Sequence, residues 1–512
     1  MVNIVKTSSV VGIKAYEVSV ETDVVNSLPA MAIVGLPDTS VTEARDRVKS
    51  AIKNSGYTFP SRKIVVNLAP ADLKKAGTSF DLPIAIGILI EEEVLNSEQV
   101  KDYAFIGELS LDGSIRPVPG VLPLVLGLKD AGIKNVIVPK SNAKEAALNG
   151  VVNVYGAEHL TDVVNHFTEQ PITQTIIDVE KYLAEQNEIN YVYDFKDVKG
   201  QRKAKRALEI AAAGGHNILM VGSPGSGKTL MAKCFASILP PLELEEALEL
   251  TKIYSICGLL SADEPLMTKR PFRVVHHTAS ANGIIGGGST PKPGEITLAN
   301  RGVLFLDEMV EFPRQVLEVL RQPLEDGEIV ISRAKHSIKY PANFMLLGAM
   351  NPCPCGFLGD KEKQCTCTDF MINRYNSKLS GPLLDRIDIQ IDVPRLTPAE
   401  LLASNENEED SQTIRQRVIK ARKIQIERYK NENILTNSEL TSDLIKKYCP
   451  LDEKSRELLK IAIVKFQLSG RKYDRVIKLA RTIADLDGSE NITQLHLTQA
   501  LQYKMDKETT EV

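Results

Sequence analysis

The chain of 512 residues has no apolar run long enough to cross a bilayer. Its longest, such as residues 84–90 and 118–128, fall far below the ~20 residues that hydrocarbon thickness demands. Its first residues, Met1-Val2-Asn3-Ile4-Val5-Lys6, lack the charged-then-apolar plan of a secretory signal, so a cytoplasmic protein with no membrane partner is expected. It also lacks an excess of either charge: a net −4 and a pI near 6.1 exclude a uniformly basic coat, and any nucleic-acid surface must be local. Cysteine is scarce and odd in number, seven in all, with four crowded between positions 353 and 367. That pattern argues against a secreted disulfide framework and for thiols or a metal site. No internal repeat and no long low-complexity tract is present. What the chain does have is a hydrophobic fraction of 43%, ample for buried cores. At about 150 residues per domain, its length predicts roughly three or four domains.

Residues 1–168 alternate short strand candidates (63–68, 104–108 and 135–138) with helices. One helix is marked by Ser40-x-x-Glu43 with Val41, Ala44, Val48 and Ala51 on one face, a capping box on an amphipathic stripe. Residues 169–190 turn polar and read as a linker with a short helix. Residues 191–395 carry the most informative motif. From 396 to 512 the chain reads as helical, with Ile414, Val418, Ala421 and Ile424 at helical spacing after the acidic stretch 406–410.

The motif is Gly222-Ser223-Pro224-Gly225-Ser226-Gly227-Lys228-Thr229, entered from the apolar strand 218–221 and left by a helix. A strand-to-helix junction of this composition is a P-loop. Backbone N–H groups turn around phosphate oxygens at a helix N-terminus, Lys228 adds charge for the outer phosphates and the Thr229 hydroxyl holds Mg²⁺. Residues 303–308, Val-Leu-Phe-Leu-Asp-Glu, read as a buried parallel strand delivering two carboxylates to the sheet edge. Asp307 would hold Mg²⁺ through water, and Glu308 would orient or deprotonate the water that attacks the γ-phosphate. A third apolar strand, 344–350, ends at Asn351, whose amide would fix that water.

Arg386, between Asp385 and Asp388, reads either as a surface ion pair or as an arginine finger for the γ-phosphate of a neighbouring subunit, which implies a ring. Arg471 opens a helix with Arg475 one turn later, and one of the two would reach the nucleotide of its own subunit. Residues 328–340 alternate around a polar centre, a β-hairpin with Arg333, Lys335 and Lys339 near its tip. Its cations are either solvated or meet DNA phosphates. Residues 411–482 hold 18 Lys/Arg against 8 Asp/Glu, a balance of +10 that favours a polyanionic partner. Cys353-x-Cys355 and Cys365-x-Cys367 supply thiolates for a structural Zn²⁺, the alternatives being reduced thiols or a redox-labile pair.

On these motifs the chain resembles, over its whole length, the YifB/ComM family of magnesium-chelatase-like AAA+ ATPases. The resemblance implies an α/β multidomain protein: a Lon-protease-like α+β domain sharing its fold with part of a ribosomal protein, a P-loop AAA+ α/β/α domain, and a C-terminal helical lid. It assigns Walker A to Lys228 and Thr229, Walker B to Asp307 and Glu308, sensor 1 to Asn351, the arginine finger to Arg386 and sensor 2 to Arg471. The segments 270–278, 286–288 and 293–296 are similar to the insertion between Walker A and Walker B, where His276 and His277, with no acid nearby in sequence, are expected to be structural. In related rings the hairpin projects into the pore. Ser79 falls at the Lon nucleophile position, but Leu122 stands where the catalytic lysine belongs, and a serine without a base is inert. No peptidase activity is expected; Arg62, Lys74 and Lys75 are available for an oligomer contact or nucleic acid. The family implies ATP and Mg²⁺, a hexameric ring, single-stranded or branched DNA as partner, a recombinase as candidate collaborator, and helicase or branch-migration activity in recombination of incoming DNA. The alternative is a protein-remodelling ATPase of the magnesium-chelatase type acting on a partner enzyme.

Overall fold

The computed structural model describes residues 2–185, 191–288, 292–332, 337–402 and 408–503. The chain divides into two compact units, one built from Met1–Asn187 with Glu243–Thr268, the other from Glu188–Leu242 with Lys269–Val512.

The first unit is organised by an eight-stranded mixed sheet. It opens on a long antiparallel pair, Asn3–Val11 and Lys14–Val25. Lys63–Ala69 and Ala30–Val34 extend the sheet on one side. Tyr103–Phe105, Asn135–Pro139, Asn153–Ala157 and Gln174–Thr175 extend it on the other. The opening hairpin is absent from the strand candidates because polar side chains (Thr7, Ser8, Thr22) occupy buried positions and interrupt its apolar alternation. The candidate at 104–108 is split: Tyr103–Phe105 joins the main sheet, whereas Glu108–Leu109 pairs with Ile115–Arg116.

Helix Thr39–Asn54 buries Val41, Ala44, Val48, Ala51 and Ile52, the expected face. Its cap is a correction: the Asp38 carboxylate, not Ser40, accepts from the Val41 backbone N–H at 2.9 Å, so the helix begins before Ser40. Helix Asp81–Glu91 is buried along nearly its whole length. The stretch 243–268 contributes helix Leu244–Ile256 to this unit. That helix lies against helix Val121–Asp130, with the Gly120 N–H donating to the Ser255 carbonyl at 2.9 Å. The Glu145 carboxylate accepts from the Ser255 hydroxyl and the Leu122 N–H, while burial raises its pKa. Lys75 does not stand available as expected: it is fully buried and its ammonium donates to the Pro70 carbonyl. Arg62 and Lys74 are both exposed, and Arg62 pairs with Glu92 at 3.0 Å.

The second unit holds a five-stranded parallel sheet in the order Phe272–Val275, Val303–Leu306, Met345–Met350, Ile218–Val221, Ile389–Asp392. The three inner strands are buried throughout, which accounts for their unbroken apolar sequences. Strand Ile218–Val221 has neighbours distant in sequence on both sides, a topological switch point, and a crevice opens beyond the carboxyl ends there. Helices Ser411–Tyr429 and Gly470–Leu486 pack on helix Arg202–Gly214, continuing the core of the sheet layer into the helical region. An antiparallel hairpin, Glu328–Ser332 with Ser337–Pro341, matches the expected one. Its tip, with Arg333 and Lys335, lies outside the described residues. Among the described residues no helix is long and apolar enough to cross a membrane.

Candidate active site

The P-loop joins strand Ile218–Val221 to helix Lys228–Phe235. Gly225 and Gly227 take φ of 78° and 92°, the left-handed region that turns successive N–H groups to one side. Gly222 is required for a different reason: a Cβ there would sit 2.1 Å from the Val393 carbonyl oxygen. Lys228 is largely buried; its ammonium donates to the carbonyls of Gly222 (2.7 Å) and Ser223 (3.0 Å) and lies 3.4 Å from Asn351 Oδ1. Burial lowers its pKa, while Asp307 and Glu308 pull the other way. A cation held only by weakly basic carbonyls in a desolvated pocket is set up to exchange them for phosphate oxygens.

The Thr229 hydroxyl donates to Asp307 Oδ2 at 2.8 Å, so the two groups that would hold Mg²⁺ already converge. An alcohol and a carboxylate oxygen suit that hard cation, which keeps several waters. Glu308 follows in the left-handed region, φ 52°, its N–H bound to Asp307 Oδ1 at 3.0 Å. Such backbone strain at a non-glycine residue aims one side chain away from its neighbour.

His277, expected from sequence to be structural, lies beside an acid of the site. Its Nδ1 lies 3.7 Å from Glu308 Oε2, and its ring packs on His276 with centroids 4.2 Å apart. The signal was the parallel register of the two strands: Val275 pairs with Leu306, so the second residue past each strand end meets its counterpart. His277 thus lies beside the Glu308 carboxylate. We expect His277→Ala to lower turnover about tenfold, part of the 10²–10⁴ that a positioned general base supplies. ATP affinity should be unchanged; an unaltered rate would remove His277 from the site.

Beside the P-loop a cavity of about 530 Å³ is lined by Gln201, Arg202, Asp392, Arg395 and Glu400 among others. Arg395 reaches from it to the Pro224 carbonyl at 3.4 Å.

The arginines form a separate constellation. Glu325, on helix Arg321–Asp326, accepts from both Arg386 and Arg471, the latter at 3.1 Å. Arg386 also donates to the Pro382 carbonyl at 2.7 Å, and its buried Nε has no partner. Burial, then Arg471, Arg321 and Arg475, lower its pKa. Arg475 lies 3.3 Å from Asp388. The expected finger and the expected sensor 2 residue therefore share one carboxylate, while Lys228, Thr229, Asp307 and Asn351 contact one another or the P-loop.

The +10 of residues 411–482 does not form one free basic surface. Arg417 pairs with Glu209 and Glu409, Arg428 and Arg481 with Asp485, and Arg475 with Asp388. Arg422 donates to the carbonyls of Ala212 and Ala213. The carboxylate partners lie outside the counted window, so a window sum overstates the field. Lys339 of the hairpin is exposed and paired with Glu328 at 2.6 Å. Cys353, Cys355, Cys365 and Cys367 come together, with all four sulfurs within 4.8 Å of one another.

A P-loop at the switch point of a parallel sheet, with acids on one strand end, an asparagine on the next and a helical region beyond, fits an AAA+ ATPase fold of the magnesium-chelatase type. Family models agree. The model for magnesium chelatase subunit ChlI matches residues 194–401, that for subunit ChlI of Mg-chelatase 20–142, and that for the ChlI C-terminal part 408–504. The chain is 42% identical to the YifB protein of Salmonella typhimurium over 508 residues, 98% of this chain and 96% of that protein. It is 43% identical to the competence protein ComM of Haemophilus influenzae over 501 residues, 98% and 97%. A magnesium-chelatase subunit ChlI homolog of Methanocaldococcus jannaschii is 24% identical over 353 residues, 61% and 84%. The chain belongs to the YifB/ComM family of magnesium-chelatase-like AAA+ ATPases, which implies use of ATP and Mg²⁺.

Proposed function

We propose that this protein is an ATP-driven motor that assembles as a ring, a hexamer by family resemblance, and moves on single-stranded or branched DNA. It would act as a helicase or branch-migration factor in recombination of incoming DNA, with a recombinase as candidate collaborator. The observation that carries the ring is the separation of the two half-sites. The phosphate and Mg²⁺ groups gather at the P-loop, whereas Arg386 is held with Arg471 on Glu325 and would complete the site of a neighbouring copy. Support for DNA comes from the competence role in the name of the Haemophilus influenzae relative and from the hairpin bearing Arg333, Lys335 and Lys339. The first unit, in this reading, is a Lon-type fold without peptidase chemistry, since buried Leu122 offers no base for Ser79. It would organise the ring.

A second reading, a protein-remodelling motor acting on a partner enzyme, is favoured by the internal pairing of the helical region's cations. ATP hydrolysis measured with and without single-stranded and forked DNA separates the two. The first reading predicts salt-sensitive DNA binding, stimulated turnover and displacement of the paired strand. Hydrolysis indifferent to DNA, with no salt-dependent binding, would leave protein remodelling.

A further inference from the structure

We propose that Cys353, Cys355, Cys365 and Cys367 hold one Zn²⁺ ion, and that this ion fixes the loop on which the P-loop rests, so that its occupancy sets nucleotide affinity. The proposal rests on the P-loop being a nucleotide site and is independent of what the motor acts on.

The geometry is that of a tetrathiolate site. Three sulfur pairs lie 3.4 Å (Cys353–Cys355), 3.7 Å (Cys353–Cys365) and 3.5 Å (Cys355–Cys365) apart. A tetrahedron with Zn–S bonds of ~2.3 Å has edges of about 3.8 Å. All seven cysteines are free, and these separations are far from the ~2.05 Å of a disulfide. The backbone N–H groups of Cys355 and Cys367 point at the sulfurs of Cys367 and Cys365, each at 3.4 Å, the kind of outer contact that steadies a metal-bound thiolate. No other acid or imidazole joins the cluster among the described residues, and four soft ligands with no open position select a structural zinc over a hard cation. Binding would release the thiol protons to solvent.

The loop has work for such a cross-link. Residues 351–368 contain neither helix nor strand, yet the segment begins at Asn351 and presses on the P-loop at three points. A Cβ on Gly356 would lie 2.6 Å from Pro224 Cδ, so the Gly356 backbone packs directly on the Pro224 ring. The Asp360 carboxylate faces the Ser223 hydroxyl; that contact and the N–H groups of Glu362 and Lys363 hold its pKa at about 2. Phe357 lies under the Arg395 guanidinium, centroid distance 5.9 Å, and Glu362 lies 3.6 Å from it, while Arg395 donates to the Pro224 carbonyl. Without the ion, only the entropy-costly ordering of a strandless loop supports these contacts.

The test uses the full-length protein purified without chelator. Zinc measured by mass spectrometry should be one ion per chain, and Co²⁺ substituted for it should give the absorption of a tetrahedral thiolate site. Removing the metal with a thiol-reactive mercurial and chelator, followed by reduction, should weaken binding of a fluorescent ATP analogue roughly tenfold or more, the effect of one or two lost hydrogen bonds. Added Zn²⁺ should restore it. Asp360→Ala keeps the ligands and should weaken nucleotide binding with zinc content unchanged, a readout independent of whether a Cys355→Ser variant folds. Absence of zinc together with failure to take up Co²⁺, or disulfides among these four residues, would overturn the metal site. Full zinc whose removal leaves nucleotide affinity unaltered would overturn the coupling. Loss of DNA stimulation alone would bear on the motor reading and not on this one.

Discussion

An Arg386→Ala variant is expected to bind ATP normally and to hydrolyse it about 10³-fold or more slowly, the range in which a missing arginine finger acts. The guanidinium would offset charge that develops on the γ-phosphoryl oxygens only in the transition state, so its removal costs turnover and spares binding. In the single chain Arg386 is buried against Glu325 beside Arg471. Burial, then three arginines around it (Arg471, Arg321 and Arg475), disfavour its charge, and Glu325 accepts a hydrogen bond from it. A Glu325→Gln variant should therefore lose turnover partially, because two guanidinium groups lose their common anchor while remaining present. The decisive measurement is ATP turnover in a mixture of Arg386→Ala with Lys228→Ala protein. If the arginine acts across a seam, some seams in the mixed ring carry both an intact P-loop and an intact arginine, and turnover returns. A mixture as inactive as its components would place Arg386 outside the neighbouring site.

Lys228→Ala is the second large effect: nucleotide binding should fall below detection in a filter or fluorescence assay, and hydrolysis with it. Lys228 is the one cation seated inside the P-loop, bound there by two backbone carbonyls, and its charge is only partly solvated. Triphosphate arriving at the glycine N–H groups without that charge would face Asp307 and Glu308 uncompensated except by Mg²⁺. Because the ammonium's carbonyl contacts are internal to the loop, removing it should also loosen the loop in hydrogen exchange. Retained tight ATP binding in Lys228→Ala would contradict the assignment of this loop as the phosphate site.

The nucleotide half of the site was legible because each group sits at the end of a contiguous apolar strand. Lys228, Asp307, Glu308 and Asn351 need no knowledge of packing once strands 218–221, 303–306 and 345–350 are seen as parallel. The arginine half was legible only as residue types. That Arg386 and Arg471 converge on Glu325 depends on helix Arg321–Asp326, whose sequence carries no motif. The cap of helix Thr39–Asn54 is expected at Ser40 because Ser40 has Glu43 three residues on, the box pattern, whereas Asp38 has Val41 there; the choice of Asp38 turns on backbone geometry. Lys75 looked exposed because lysine usually is; its burial follows from the way residues 70–75 fold back so that its ammonium meets the Pro70 carbonyl.

Sequence alone determined the chemistry of phosphate and Mg²⁺ binding and the presence of four closely spaced thiols, since each depends on residue types at short spacing along one segment. Tertiary structure decided which distant groups meet: His277 with Glu308 through parallel register, two arginines with one glutamate, the helical region's cations with carboxylates elsewhere, and the cysteine loop with the P-loop. The reason is physical. A local motif is specified by bonded geometry, whereas a contact between segments a hundred residues apart exists only once sheet order and core packing have chosen its partners.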